Sequence, residues 1–267
     1  MISSSLRSRL GTSTGSGRLE DAFPFAVSRD IHWLELACQE PENQPHTFDR
    51  GRIATVRSLL DDSGIKGVVH SASSVNAAEI VPGVRAAAEE YLDSFVQLTH
   101  DLGCETLIVH AGFYFSVDIE ERLDALRTTL ENAVRRAEKL GITLTLENMN
   151  VLPESAEIRY LGCTTDEVLA ILEAIDSPNL TSCVDVGHAH LLPGGAAPFI
   201  EKLAGRIGHV QLTDNDGVID DHLALGEGTL DLPSIFTALD SAGYNGPIAI
   251  ELSDRAALAR SLDHLGI

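Results

Sequence analysis

The sequence predicts an α/β chain folded as a (β/α)8 barrel, and three observations predict it. Short apolar runs alternate with amphipathic segments from one end of the chain to the other. Several amphipathic segments stop at a glycine followed at once by the next run, as in DLGCETLIVH, KLGITLTLE and SAGYNGPIAIE, which is how a helix ends and a strand begins. The runs themselves close on side chains that can bind a metal or move a proton. A barrel of parallel strands gathers such residues at one rim.

The elements follow in order. A weak first segment around residues 8–13 opens the series, and runs at 31–37, 67–72, 105–111, 142–148, 180–186, 207–213 and 247–252 complete eight strands. These runs are apolar through most of their length, as parallel strands covered on both faces require. Between them, 51–63, 83–102, 119–140, 165–176, 197–205, 232–243 and 255–264 place apolar residues at i, i+3, i+4 and i+7, the stripe of a helix lying on a sheet. Thr164-Thr165-Asp166-Glu167 reads as an N-terminal cap with acidic residues in the first turn. A doubly wound open sheet would bring a change of pattern and a glycine-rich phosphate loop, and GTSTGSG near residue 11 matches no such loop. With no internal repeat or linker, residues 1–267 are read as one domain.

Composition narrows the function. Asp and Glu number 40 against 19 Lys and Arg, a formal net charge of −21, and only Lys66, Lys139 and Lys202 are lysines. Such a surface repels phosphate backbones and argues against nucleic acid as a partner. The excess acid reads as a solvated surface, with adaptation to high salt as the other reading. No stretch reaches the roughly 18 apolar residues of a membrane span, and the polar start MISSSLRSRLGTSTGSG lacks the apolar centre of a secretory signal. The expected location is the cytoplasm. Cys38, Cys104, Cys163 and Cys183 form no C-x-x-C pair and read as packing residues in a reducing compartment.

The chemistry sits at the strand ends. VVHSAS brings His70, LIVHAG His110, LTLEN Glu147, SCVDVGHAH Asp185 and His188, HVQLTDND Gln211 and Asp214, and IAIEL Glu251. Glu147, Asp185 and Glu251 with the carboxamide of Gln211 make an oxygen-rich donor set suited to Mn²⁺, Mg²⁺ or Co²⁺. Buried carboxylates require a cation or a proton. Glu147 and Glu251 would face each other across a substrate. His188 reaches the same site three residues past Asp185, and His70 and His110 end adjacent strands, where each is either a ligand or a hydrogen-bonded packing residue. The loop NDGVIDDHLALGEGTLDL adds Asp220 and His222 as metal or substrate ligands, and Gly226 and Gly228 for a tight turn. Substrate choice would rest on Trp33, Phe113, Tyr114 and Arg159, the last as an anion ligand or an exposed loop arginine.

WLELA, LENMN, VDVGHAH, HVQLTDNDG and the stretch from LGEG to IAIEL together resemble the xylose-isomerase-like TIM-barrel superfamily over nearly the whole chain. That group includes sugar and sugar-phosphate isomerases and epimerases and the endonuclease IV family. In the isomerase and epimerase branch the resemblance implies one divalent metal on Glu147, Asp185, Gln211 and Glu251. The two glutamates would double as the acid/base pair working through an enediolate, with His188 on substrate oxygens and Glu35 a common active-site glutamate. The expected substrate is a small carbohydrate. The endonuclease pattern implies instead a three-zinc site on His70, His110 and Glu147, then Glu147, Asp185 and Glu251, then His188, Asp220 and His222. Gln211 stands where that family has a histidine. A metal-dependent dehydratase or lyase on a polyol or keto acid would use the same groups. Related barrels commonly form a homodimer, which nothing in this sequence fixes.

Overall fold

A computed structural model describes residues 4–115 and 118–267. Its strands are β1 (Leu10–Ser13), β2 (Trp33–Ala37), β3 (Lys66–His70), β4 (Thr106–His110), β5 (Phe113–Phe115), β6 (Thr143–Glu147), β7 (Ile158–Tyr160), β8 (Leu180–Asp185), β9 (Ile207–Leu212) and β10 (Ile248–Ile250). Eight of them close a parallel barrel in the order β1-β10-β9-β8-β6-β4-β3-β2, with helices on the outside. The (β/α)8 expectation is met, and the first segment is a true barrel strand paired with both β2 and β10. β5 and β7 form a separate antiparallel pair, Phe113 opposite Tyr160, inside stretches read as loops.

The helices fall close to their predicted spans: Arg50–Ser63, Pro82–Asp101, Ile119–Leu140, Thr165–Ile175, Ala196–Lys202, Leu232–Ser241 and Arg255–Leu265. Gly64 and Gly141 take left-handed C-cap positions at φ 68° and 72°, as the glycine punctuation requires. Thr164 and Glu167 form the expected capping box. In the long helix Ile119–Leu140 the stripe Leu126, Leu130, Ala133, Val134 and Ala137 is buried. Each large side chain of such a stripe contributes about 1.5–3 kcal/mol on leaving water.

Strand alternation sorts the side chains. Leu34, Leu36, Val69, Leu107, Val109, Leu144, Leu146, Val184, Val210, Leu212, Ile248 and Ile250 join the main core between barrel and helices. The opposite parity faces the barrel axis. There Val68, Ile108 and Cys183 pack with Trp33 as a small apolar plug. A Cβ on Gly11 would stand 2.7 Å from Trp33 Cβ, so this strand must be bare where the indole enters. Trp33 therefore belongs to the floor of the barrel and not to a substrate pocket. One step further along each strand the same inward face turns polar. Among the described residues no helix is long and apolar enough to cross a membrane.

Candidate active site

The inward positions at the strand ends converge on one buried cluster. Glu35 on β2, His70 on β3, His110 on β4, Glu147 on β6, Asp185 on β8 and Gln211 on β9 are all nearly inaccessible to solvent. Glu251, just past β10, and Asp220 and His222 in the long loop close it from above. Gly187 lets the chain turn at Asp185, because a Cβ there would collide with Thr213 Oγ1. The short helix Val186–His190 that follows carries His188, whose backbone N–H donates to Asp185 Oδ1 at 2.8 Å.

Around Glu147 the donor atoms crowd. His70 Nε2 and His110 Nε2 lie 3.2 Å apart, and each is 3.2 Å from Glu147 Oε2. His188 Nδ1 is 3.6 Å from Glu147 Oε1 and 3.5 Å from Asp185 Oδ2. His188 Nε2 and His222 Nε2 both meet Asp220 Oδ2, at 3.1 and 3.0 Å. His70 Nδ1 faces Glu35 Oε1 at 2.9 Å and Glu251 Oε1 at 3.3 Å. One imidazole thus touches both glutamates of the expected acid/base pair.

Among the described residues, four sets of three donors come within 4.8 Å of one another: His70, His110 and Glu147; His188, Asp220 and His222; Glu35, His70 and Glu251; and Glu147, Asp185 and His188. Asp185 Oδ2 is a buried carboxylate oxygen with no hydrogen-bond partner, and Glu147 Oε2 faces the two imidazoles. Edges near 3.2 Å match a coordination shell with bonds of about 2.0–2.1 Å to nitrogen and oxygen. The residues fit a divalent cation. Gln211 is turned differently: its Nε2 donates to Glu35 Oε1 at 3.2 Å, and its Oε1 accepts from Cys183 Sγ at 3.0 Å. That oxygen keeps one lone pair for a further partner.

The electrostatics separate the carboxyls. Burial pushes the Glu251 carboxyl well above the usual range, and neighbouring Glu35 adds to the rise against the pull of His70. Burial also raises Asp185, to about 6, more than His188 can offset. Glu147 is as deeply buried, but His110 and His70 overcome that and hold it well below its ordinary value. Glu35 falls to about 2, since His70 and His209 outweigh its burial. The hydrogen bond to Asp220 raises His222 to about 9.

Two sequence candidates do other work. Asp214 accepts from the backbone N–H groups of Asn215, Gly226 and Leu230 at 2.9, 2.9 and 3.0 Å, so its carboxylate shapes the long loop. The Arg159 guanidinium donates to the carbonyls of Leu152, Pro153 and Glu154 and braces its own loop. Residues absent from the sequence reading also emerge. His209 is buried and its Nε2 meets Glu35 Oε2 at 2.9 Å. Asn148 Oδ1 accepts from the Asp185 N–H at 2.8 Å and its Nδ2 donates to the Asp185 carbonyl at 3.1 Å. His209 could have been found by parity, two residues before Gln211 on the same face. Of the cysteines, Cys38, Cys104 and Cys183 are buried free thiols and Cys163 is half-buried.

Known proteins resemble this chain over most of its length. A protein of Methanocaldococcus jannaschii without an assigned function is 34% identical over 81% of this chain and 73% of its own length. The 2-oxo-tetronate isomerase of Haemophilus influenzae is 27% identical over 78% of this chain and 81% of its own. A D-tagatose 3-epimerase-like protein superposes with a TM-score of 0.86 at 30% identity, covering 97% of this chain and 96% of that one. Other relatives are named fructoselysine 3-epimerase and ketose 3-epimerase, so the named relatives are isomerases and epimerases. The family model for the xylose isomerase-like TIM barrel matches residues 23–266. The chain belongs to the xylose isomerase-like TIM-barrel family.

Proposed function

We propose that the chain is a divalent-metal-dependent isomerase or epimerase of a small sugar or sugar phosphate, with Glu147 and Glu251 as its acid/base pair. The observation that carries this reading is the placement of those two glutamates on either side of His70, whose Nε2 and Nδ1 approach their carboxylates at 3.2 and 3.3 Å. Two carboxyls that hold their protons differently at one buried site are suited to taking a proton and giving one.

Glu147, Asp185 and Glu251 would hold the cation, with Gln211 Oε1 completing the set. When bound, the cation supplies polarisation of the substrate carbonyl and stabilises charge on its oxygens. The chain does the rest. One glutamate removes the proton from the carbon beside the carbonyl, and the other returns a proton. Return to the opposite face of the same carbon is epimerisation; return to the former carbonyl carbon, with the neighbouring hydroxyl proton passing to the former carbonyl oxygen, is isomerisation. His188 and His222, joined through Asp220, hold substrate hydroxyls in register. The plug of Trp33, Val68, Ile108 and Cys183 below keeps water from reaching the site through the barrel.

The test is exchange of substrate hydrogen in deuterated water across a panel of ketoses and their phosphates. Deuterium appearing at the carbon beside the carbonyl is expected. No exchange with any sugar, together with hydrolysis of a phosphodiester, would overturn the reading. The grouping of His70, His110 and Glu147, and separately of His188, Asp220 and His222, favours a second reading, a multi-zinc phosphodiesterase. Against it stand the net charge of −21 and a glutamine at position 211.

A further inference from the structure

A cavity of about 20 Å³ lies beside His110, between the ends of β3 and β4 and the helices Pro82–Asp101 and Ile119–Leu140. No carboxylate lines it. Its wall is apolar, with Ala88, Leu92 and Phe95, except for Ser71, Tyr91, His110 and Thr129. The Tyr91 hydroxyl is committed to Gln44 Oε1 at 2.8 Å. His110 Nδ1 and Thr129 Oγ1 are both buried and both lack a hydrogen-bond partner.

Thr129 is unusual among the helical threonines. Thr55, Thr99, Thr128 and Thr237 each donate to the carbonyl four residues earlier, at 2.8–3.0 Å. Thr129 makes no such bond and leaves its hydroxyl open on the cavity wall. A buried polar group without a partner is costly, and a water molecule needs only about 10–15 Å³ and two or more polar partners. The space is large enough for a water molecule.

We propose that this cavity holds a water molecule that bridges His110 Nδ1 and Thr129 Oγ1, which makes Thr129 a positioning residue for the His110 imidazole. The bridge fixes the plane of a ring whose Nε2 lies 3.2 Å from both His70 Nε2 and Glu147 Oε2.

The test compares Thr129→Val with Thr129→Ser. Nitrogen-15 spectra of histidine-labelled protein read the hydrogen bonding of each imidazole nitrogen, with His110 assigned by the His110→Gln variant. The wild type and Thr129→Ser should share one His110 Nδ1 resonance, and Thr129→Val should shift it. A packing role gives the reverse order, because valine fills the threonine volume and serine does not. Wild-type imidazole resonances in Thr129→Val would overturn the bridge.

Discussion

His70 and His110, from neighbouring barrel strands, stack with ring centroids 5.1 Å apart and planes inclined by 20°, and both direct Nε2 at Glu147 Oε2. Two imidazole nitrogens and a carboxylate oxygen this close in a buried site need a shared positive charge between them, from protons or from a metal. Chelator treatment should therefore lower the melting temperature, and Mn²⁺ or Co²⁺ should restore it. At a free metal concentration 100 times Kd, the gain is about 2.7 kcal/mol. Differential scanning calorimetry checks this, and an unchanged transition would speak against a bound cation.

Glu147→Gln and Glu251→Gln should each lower turnover by about 10²- to 10⁴-fold, the range for loss of a positioned acid or base. Far-ultraviolet circular dichroism should stay that of the wild type. Near-normal activity in either variant would break the proposed pair.

His209 tests the anion beneath the site. Its Nε2 meets Glu35 Oε2 at 2.9 Å where both side chains are almost wholly buried. Removing one hydrogen bond to a buried acceptor costs about 1–3 kcal/mol, and His70 still faces the Glu35 carboxylate. His209→Leu should show that loss in urea unfolding, and adding Glu35→Gln should recover part of it. Equal stability of the single and double variants would contradict the coupling.

Outside the site, Glu20 gives a pH prediction. Burial would raise its carboxyl, but hydrogen bonds from Arg52 and Arg18 prevail and bring it from 4.5 to about 2. A depressed folded value contributes stability that is complete above about 4.5 and fades as pH falls toward about 2. The wild type should therefore exceed Glu20→Gln in urea stability at pH 7, with the gap narrowing between pH 4.5 and 3. A gap that stayed constant would mean the carboxylate charge is not what stabilises the site.

The sequence carried the barrel well because both of its periodicities are local. Glycine stops such as Gly141 and the Thr164 cap mark ends that need no tertiary knowledge. The strand-end residues were legible for the same reason: parity and position place Glu147, Asp185 and His70 on the inner rim. What escaped depends on distant partners. The β5–β7 pair joins segments about 45 residues apart in chain with no turn signature to announce it. Asp214 looks like a ligand in sequence, yet three backbone N–H groups claim its carboxylate. Trp33 shares a strand with Glu35, and only the register opposite Gly11 shows that the indole sits on the barrel floor.

Metal content tests the central claim most directly, since it needs no knowledge of the substrate. Elemental analysis of protein purified without chelators or an affinity-tag metal should find about one Mn, Co or Mg per chain. Two or three zinc ions per chain would contradict the single-cation isomerase or epimerase. They would instead assign His70, His110, His188, Asp220 and His222 as ligands of a phosphodiesterase.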